Sequence, residues 1–127
     1  MLKINNVTQV IVDSAIEVHR VLGGPGLLEG VYEEALVWEL KQRKMNVARQ
    51  VQLPITYKGQ AIGNPLRNDV MVDQIVLVEC KMTIQNDKIF QSQLLTYLRL
   101  TGLRLGLLLN FGHRLMKDGI HRVINGY

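Results

Sequence analysis

A buried strand that ends in charged residues constrains the fold of this chain more than any other feature. Residues 75–78 are an unbroken, mostly β-branched apolar run, which predicts a strand covered on both faces. The run continues into Glu79-Cys80-Lys81, although buried charges are costly unless they are paired or bound to a metal. Side chains alternate along a strand, so Glu79 and Lys81 share one face and Cys80 lies on the other. Asp69 lies ten positions earlier, on the preceding predicted strand. We therefore expect two carboxylates and an ammonium group at one end of a hydrophobic sheet.

The connection between these two strands decides whether the carboxylates can act together. A two-residue turn at Asp73-Gln74 would pair Asp69 with Val78 and leave Glu79 on the opposite face. A three-residue connection, or a bulge, would place Asp69 opposite Glu79. A shared site therefore predicts the irregular connection.

Composition limits the class of protein. The 127 residues are predicted to form one domain, 1–127, and the hydrophobic fraction of 47% excludes general disorder. No signal-peptide pattern or membrane-spanning apolar run is present, and the single cysteine cannot form an internal disulfide. We expect a cytoplasmic protein with no membrane partner. The net charge of +4 is compatible with a polyanionic partner without establishing one.

Hydrophobic periodicity predicts an α/β chain (an α+β mixed sheet) with the order α-α-β-β-β-α-β-β. The predicted helices are 5–22, 27–44 and 87–101, and the predicted strands are 46–57, 61–72, 75–81, 103–110 and 119–124. Pro54 makes the first strand an edge strand or breaks it. A meander, a crossover helix and two further strands are expected, with helices covering the sheet.

Several helix residues allow two interpretations. His19 ends the first helix, where it either satisfies carbonyl groups or is catalytic. Glu29 is either a first-turn carboxylate or an acid directed inward, whereas Glu33 is expected to face solvent. Asp87 is the expected cap of the third helix, and Ile89 is expected to point inward.

Two carboxylates at one sheet end suit a hard cation, Mg²⁺ or Mn²⁺, which takes oxygen ligands. Glu29 and the Cys80 carbonyl could complete the shell around Asp69 and Glu79. Lys81 would then orient water or stabilise charge in the transition state. The structural alternative is an ion-pair cluster in which Lys81 neutralises both acids.

Other chemistries are not supported. One cysteine excludes a four-thiolate zinc site, and the three histidines have no recognised metal-binding spacing. No glycine-rich loop follows a strand and opens a helix, and no serine lies in a G-x-S-x-G elbow.

Three motifs occur in order along the chain. Asp69 with Glu79-Cys80-Lys81 resembles the D…(D/E)-x-K signature of the PD-(D/E)XK nuclease superfamily. Residues 26–32 match G-x-x-E-x-x-Y, the pattern of the GxxExxY protein family within it, and residues 93–97 resemble the Q-x-x-x-Y helix of RecB-like nucleases. Two departures are visible: Arg67-Asn68 replace the usual proline near the aspartate, and an extra glycine occurs in the first interhelical loop.

This resemblance implies a restriction-endonuclease-like core and a role for each motif residue. Asp69 and Glu79 would be metal ligands and Lys81 the catalytic lysine, with Glu29 supplied by the helix before the sheet. Gln93 and Tyr97 would line the site. From their spacing alone, these two residues could equally lie at a polar helix edge.

The leading hypothesis is a Mg²⁺-dependent phosphodiesterase acting on DNA, with RNA as the less favoured substrate. The first rival is a non-cleaving nucleic-acid-binding or assembly module that retains the fold. The second is a structural oligomer with an ion-pair network. Because the chain is small for gripping a duplex, it forms a homodimer, joins a larger assembly, or acts on a short or exposed strand.

Overall fold

The computed structural model describes residues 2–126, and the elements within them follow the hydrophobic pattern of the sequence. The described residues contain three α-helices, seven strands and one short 3₁₀ helix: α1 Leu2–Val21, α2 Glu29–Gln42, β1 Val47–Leu53, β2 Thr56–Tyr57, β3 Gln60–Ala61, β4 Leu66–Val72, β5 Val76–Lys81, α3 Asp87–Thr101, β6 Leu105–Asn110, the 3₁₀ helix Met116–Gly119 and β7 Ile120–Ile124. Within residues 2–126, none of the helices combines the length and the hydropathy that a transmembrane span requires.

The main sheet has five strands in the order β1-β4-β5-β6-β7. Neighbouring strands are antiparallel except β5 and β6, which are parallel because α3 crosses over between them. The predicted mixed sheet and its α-α-β-β-β-α-β-β order are confirmed. Residues 56–61 differ from the prediction, because they form a separate two-stranded hairpin, β2-β3. Pro54 and Pro65 lie on either side of this hairpin, and proline cannot donate to a ladder.

Helices cover both faces of the sheet. The first face packs against α1 and α2, and its core includes Tyr32, Leu36, Val78, Leu109 and Phe111. The second face, called the α3 face below, packs against α3 through Leu77, Leu94, Leu98, Leu108 and Val123. Strand β5 contributes to both cores with successive residues, as predicted for a strand buried on both sides.

Two predictions about α3 were wrong. The N-cap is Asn86, whose side chain accepts a hydrogen bond from the Lys88 amide, so the side chain of Asp87 is not the cap. Ile89 is 67% exposed, because the inward face of the helix is set by Leu94, Tyr97 and Leu98. The helix ends at Gly102, whose φ of 72° lies in the left-handed region that favours glycine.

The surface of α2 also differs from its predicted pattern. Glu33 is buried, and its carboxylate accepts hydrogen bonds from Arg49 and Gln50 of β1, so the prediction that it faces solvent was wrong. Burial of a charge requires such partners. Leu28, the N-cap residue of this helix, and Trp38 are large apolar residues that remain exposed.

Candidate active site

The connection between β4 and β5 places the two carboxylates side by side. Val72 pairs with Val76, so residues 73–75 form a three-residue connection, two of them with positive φ. The same register places Asp69 opposite Glu79. The irregular connection predicted for a shared site is therefore present.

The ladder between β4 and β5 is replaced at this point by side-chain hydrogen bonds. The Asp69 amide donates to Glu79 Oε2 at 2.8 Å, and the Cys80 amide donates to Asp69 Oδ2 at 2.9 Å. Asn68 Nδ2 donates to Glu79 Oε2 at 2.7 Å and to the Val78 carbonyl at 3.2 Å. Each carboxylate is thus fixed through one oxygen. Within residues 2–126, Asp69 Oδ1 and Glu79 Oε1 make no hydrogen bond and remain available to a ligand.

Both carboxylates are protonated more readily than usual. The pKa of Asp69 is raised to about 6, mainly by burial. The hydrogen bond from the Cys80 amide lowers this pKa in part, and the negative charges of Glu33 and Glu29 raise it. Burial, and then the negative charge of Asp69, raise the pKa of Glu79 to about 7. A pair of this kind is under electrostatic strain when both groups are ionised, and a bound cation would relieve that strain.

The predicted site residues line one polar cavity of about 650 Å³. Its lining includes all six side chains expected from the motifs: Glu29, Asp69, Glu79, Lys81, Gln93 and Tyr97. Gln52 and Arg67 line it as well. The structure therefore brings the three sequence motifs to one place.

Lys81 does not neutralise the acids through a direct ion pair. Its ammonium lies 4.9 Å from the centre of the Phe90 ring, above the ring face, and no carboxylate of residues 2–126 lies within ion-pair distance of it. The charge of Lys81 lowers the pKa of both acids, as the last of several contributions. This geometry disfavours the structural ion-pair alternative.

Tyr97 is a neutral hydrogen-bond donor at the cavity wall. Burial, and then the charges of Glu79 and Asp69, raise the pKa of the Tyr97 phenol above its ordinary value of 10.0. The phenol therefore keeps its proton at neutral pH and can donate it to an anionic oxygen.

Glu29 is positioned by the loop that precedes α2. The Tyr32 hydroxyl donates to the Gly24 carbonyl at 2.8 Å and accepts from the Leu27 amide at 3.1 Å. The Tyr32 ring is fully buried and stacks on Phe111. The tyrosine of the G-x-x-E-x-x-Y pattern thus fixes the loop, and the glutamate that begins the helix is exposed at the cavity.

Cys80 can contribute to the site only through its backbone. Its side chain is fully buried in the core under α1 and α2, on the face opposite Glu79, as strand alternation predicted. Burial raises the pKa of the Cys80 thiol well above its ordinary value, so the sulfur is a neutral core atom.

The donor set fits a divalent cation that binds through oxygen. Within residues 2–126, no three His, Cys, Asp or Glu side chains are close enough to hold a metal ion by themselves. A cation at Asp69 and Glu79 would therefore need further oxygen ligands, which Mg²⁺ commonly obtains from water and phosphate. The two available carboxylate oxygens and the strained acid pair match this requirement.

Asn68 is a site residue that sequence reasoning missed. It is fully buried, it holds Glu79 by its amide nitrogen, and its Oδ1 is buried without a hydrogen-bond partner in the described chain. The signal was present in the sequence, since Asn68 occupies a position that alternates with Val70 and Val72 and should be apolar.

His19 contacts a carbonyl group, as one of its two predicted interpretations expected, but this carbonyl belongs to a distant segment and not to the end of its own helix. Its Nε2 lies 2.9 Å from the carbonyl oxygen of His113, far along the chain, so it does not satisfy the carbonyls of its own helix. It is buried and does not line the carboxylate cavity.

Comparison with known proteins agrees with this geometry. The family model described as the PD-(D/E)XK nuclease superfamily matches residues 5–123. A mixed five-stranded sheet between helices is consistent with the restriction-endonuclease-like fold of that superfamily. No curated protein and no solved structure matches the chain.

Proposed function

Because the chain belongs to the PD-(D/E)XK nuclease superfamily, we propose that it is a divalent-metal-dependent phosphodiesterase that cleaves nucleic acid, with DNA as the preferred substrate. One observation carries this proposal: Asp69 and Glu79 meet where the β4–β5 ladder opens, in the cavity that Lys81 also lines. Nuclease membership implies a nucleic-acid substrate, and the choice of DNA, Mg²⁺ and hydrolysis belongs to the proposal.

Asp69, Glu79 and the Cys80 carbonyl would hold Mg²⁺ or Mn²⁺. A cation bound there would neutralise charge on a phosphoryl oxygen and lower the pKa of water. Asn68 and the Asp69 amide keep the Glu79 carboxylate in a fixed orientation, and the Cys80 amide does the same for Asp69. Fixed ligands reduce the reorganisation needed when substrate arrives.

Lys81 is the residue that would act on the reacting phosphate. Its ammonium is held over Phe90 and is not engaged by an acid within the described residues, so it is free to donate to the attacking water or to a phosphate oxygen. Tyr97 and Gln93 would donate hydrogen bonds to the substrate from α3. Glu29 would accept a proton or orient water from the opposite wall.

The finer family assignment also belongs to this proposal. The G-x-x-E-x-x-Y pattern supports the GxxExxY family, because Tyr32 fixes the loop that presents Glu29 at the cavity. The position of Gln93 and Tyr97 on the cavity wall supports the relation to RecB-like nucleases. We also expect the protein in the cytoplasm, where its single cysteine would stay reduced.

Calorimetry of Mg²⁺ and Mn²⁺ binding tests the proposal. Wild type, Asp69→Ala and Glu79→Ala are compared, with Glu34→Ala as the matched control, since Glu34 is an exposed acid on α2. Saturable binding that the first two substitutions abolish and the control retains would support the metal site. A cleavage screen over single-stranded, duplex and branched DNA, and over RNA, then identifies the substrate.

Two outcomes would count against hydrolysis. No metal binding by wild type, even with DNA present, would exclude the metal-dependent mechanism. Metal binding with nucleic-acid binding but no cleavage of any substrate would favour the non-cleaving module.

A further inference from the structure

Arg67 is a cation without an ion-pair partner on the wall of the carboxylate cavity. It lies on β4, two residues before Asp69, and lines the same cavity as Asp69, Glu79 and Lys81. The residue is exposed, and no carboxylate of residues 2–126 lies within ion-pair distance of its guanidinium group. A guanidinium group is always charged in proteins, so this charge does not depend on pH. Arg67 therefore presents a permanent positive charge to whatever enters the cavity.

The strand geometry places Arg67 close to the acid pair but further from the turn. Alternation puts Arg67 on the same face of β4 as Asp69, and a rise of about 3.3 Å per residue separates their α-carbons by roughly 6–7 Å. The last paired residues of β4 and β5 are Val70 and Val78. Arg67 thus lies at the open end of these two strands, where a ligand can enter from solvent.

Gln52 supplies a neutral hydrogen-bond donor next to Arg67. The two residues are directly opposite each other in the β1–β4 pair, and both line the cavity. Side chains at such positions start about 5 Å apart. Gln52 is exposed, and neither of the two side chains forms a hydrogen bond with another residue of the described chain. The guanidinium fork and the amide can therefore bind two oxygens of one anion.

The charges that line the cavity favour an anion with a single negative charge. Glu29, Asp69 and Glu79 provide three carboxylates, and Lys81 and Arg67 provide two cations. A divalent cation bound to the acids would leave one net positive charge, whereas the same cavity without Arg67 would be neutral. Each phosphodiester of a nucleic acid carries one negative charge, and a guanidinium group binds phosphate through two parallel N–H···O bonds.

We propose that Arg67, with Gln52 beside it, binds a backbone phosphate of the nucleic-acid substrate in the carboxylate cavity. This inference rests on the proposed function and deepens it, because it names the residues that hold the substrate strand beside the acid pair. The contact uses a permanent charge, so it forms with or without the metal. Loss of Arg67 should therefore raise KM more than it lowers kcat, whereas loss of Lys81 should lower kcat.

Fluorescence anisotropy with a labelled single-stranded DNA tests the contact without cleavage. Binding is measured in a chelator at pH 6, where Asp69 and Glu79 are in part protonated and repel DNA less. Arg67→Gln should weaken binding by roughly tenfold. It should also reduce the slope of log affinity against log salt by about 0.7, the value for one phosphate contact on a single strand. Arg67→Lys should keep the slope and weaken binding less, because it keeps the charge and loses the bidentate geometry.

Two further variants separate the contact from a general loss of charge. Lys41→Gln is the matched control, since Lys41 is exposed in the last turn of α2, about 18 Å along the helix from Glu29. It should change affinity by less than about twofold. Gln52→Leu should weaken binding by roughly two- to threefold and leave the salt slope unchanged, because it removes a neutral donor.

NMR of the arginine Nε–H group in wild type gives a measurement that needs no variant protein. The Arg67 signal should shift saturably when the DNA is added. If inorganic phosphate shifts this signal and DNA does not, a small phosphorylated ligand is the occupant and the proposal is overturned. Urea unfolding of Arg67→Gln should match wild type, because the side chain is exposed and unpaired, so weaker binding by this variant does not reflect unfolding.

The two proposals fail separately. If Arg67→Gln binds DNA with the affinity and salt slope of wild type, the phosphate contact is wrong and the metal site is unaffected. Absence of DNA binding by wild type in the chelator would overturn the contact as well. If Arg67→Gln loses affinity and wild type binds neither Mg²⁺ nor Mn²⁺, the phosphate contact is supported and metal-dependent hydrolysis is excluded.

Discussion

Glu79 shows how one residue can be fixed in place and strained at the same time. Its Oε2 accepts two hydrogen bonds, from the Asp69 amide and from Asn68, which favour the ionised form. Burial and the neighbouring charge of Asp69 oppose ionisation more strongly, so its pKa is raised to about 7. The orientation of the carboxylate is therefore determined by its two hydrogen bonds. Its affinity for protons or a cation is determined by desolvation.

The raised pKa values predict how stability depends on pH. In the folded protein the pKa of Asp69 is about 6 and the pKa of Glu79 is about 7. In the unfolded chain the two groups return to their ordinary pKa values of 3.8 and 4.5. Between these limits the folded state binds more protons, so the free energy of unfolding falls as pH rises from about 4 to 7. We expect a loss of roughly 1–3 kcal/mol in metal-free buffer. Urea unfolding at several pH values measures it.

Glu79→Gln provides the internal control for this pH effect. The amide oxygen can still accept from the Asp69 backbone, and the ionisable group is gone. The free energy of unfolding of Glu79→Gln should depend less on pH than that of wild type. Above pH 7 the variant should be the more stable of the two proteins. A variant with the wild-type pH slope would contradict the assignment.

Lys81→Met separates the catalytic role of this residue from a structural one. We expect kcat to fall by about 10²–10³-fold, as when one preorganised charge is lost from a transition state. The free energy of unfolding should change by less than about 1 kcal/mol, because Lys81 forms no ion pair with described residues. Steady-state kinetics and urea unfolding give the two values. A loss of roughly 3 kcal/mol would instead indicate the ion-pair cluster.

At the scale of elements, the three-residue connection between β4 and β5 determines the site. It sets the register in which Val72 pairs with Val76, and that register brings the two carboxylates together. Shifting the register by one residue would move every side chain of β5 to the other face. The turn and the site are therefore one feature of the fold.

The loop between α1 and α2 is a second such element. Tyr32→Phe retains the ring stack on Phe111 and removes the hydroxyl that bonds to Gly24 and Leu27. We expect a loss of about 1–2 kcal/mol, because the Gly24 carbonyl and the Leu27 amide lose their partner in a partly buried loop. Activity should also fall, because Glu29 follows the loop. Thermal unfolding and cleavage rates measure the two effects, and unchanged values for both would contradict the role given to this motif.

Two glycines differ in the space that a side chain would have. Gly119 packs against the Asn110 backbone, whereas Gly30 has open surroundings. A Cβ on Gly119 would collide with the Asn110 carbonyl, so Gly119→Ala should destabilise the fold by about 2–4 kcal/mol. Gly30 lies in α2 with open space around its missing Cβ, and Gly30→Ala should stabilise by about 0.5–1 kcal/mol. Chemical denaturation of both variants shows whether the contrast holds. Similar effects in the two variants would contradict it.

At the scale of the whole molecule, cation binding should be visible as added stability. A ligand that binds only the folded state at 100 times its Kd adds about 2.7 kcal/mol. We therefore expect Mn²⁺ to raise Tm by several degrees, and by more at pH 8 than at pH 6, since protons compete for the same carboxylates. Asp69→Ala should remove the shift. An equal shift in that variant would show that the metal binds elsewhere.

The net charge of +4 makes a further prediction at this scale. If nucleic acid binds along the sheet edge, the logarithm of affinity should fall linearly with the logarithm of salt concentration. The slope counts the phosphates that the protein neutralises. Anisotropy at four salt concentrations measures the slope, and a salt-independent affinity would exclude a backbone-phosphate interface.

Local sequence patterns were enough to predict the order of the main elements and the burial of β5 on both faces. These follow from side-chain periodicity and from polar residues at positions that should be apolar, and both are properties of neighbours in the chain. The same reasoning brought Asp69, Glu79 and Lys81 together, whereas the resemblance to PD-(D/E)XK nucleases, and not periodicity, led us to expect Gln93 and Tyr97 beside them. The separation of Cys80 from Glu79 could be predicted as well, because adjacent strand residues face opposite ways.

How those residues interact depends on contacts between elements that are far apart in the chain. The amide of Asn68 on Glu79, the position of Lys81 over Phe90, the burial of Glu33 against Arg49 and the contacts of His113 and His121 with Asp87 all join groups that are distant in sequence or on different elements. Desolvation likewise depends on what covers a group, so the raised pKa values of the two acids could not be read from their spacing. Local patterns specify which side chains reach the sheet edge, and long-range packing specifies their charge states and partners.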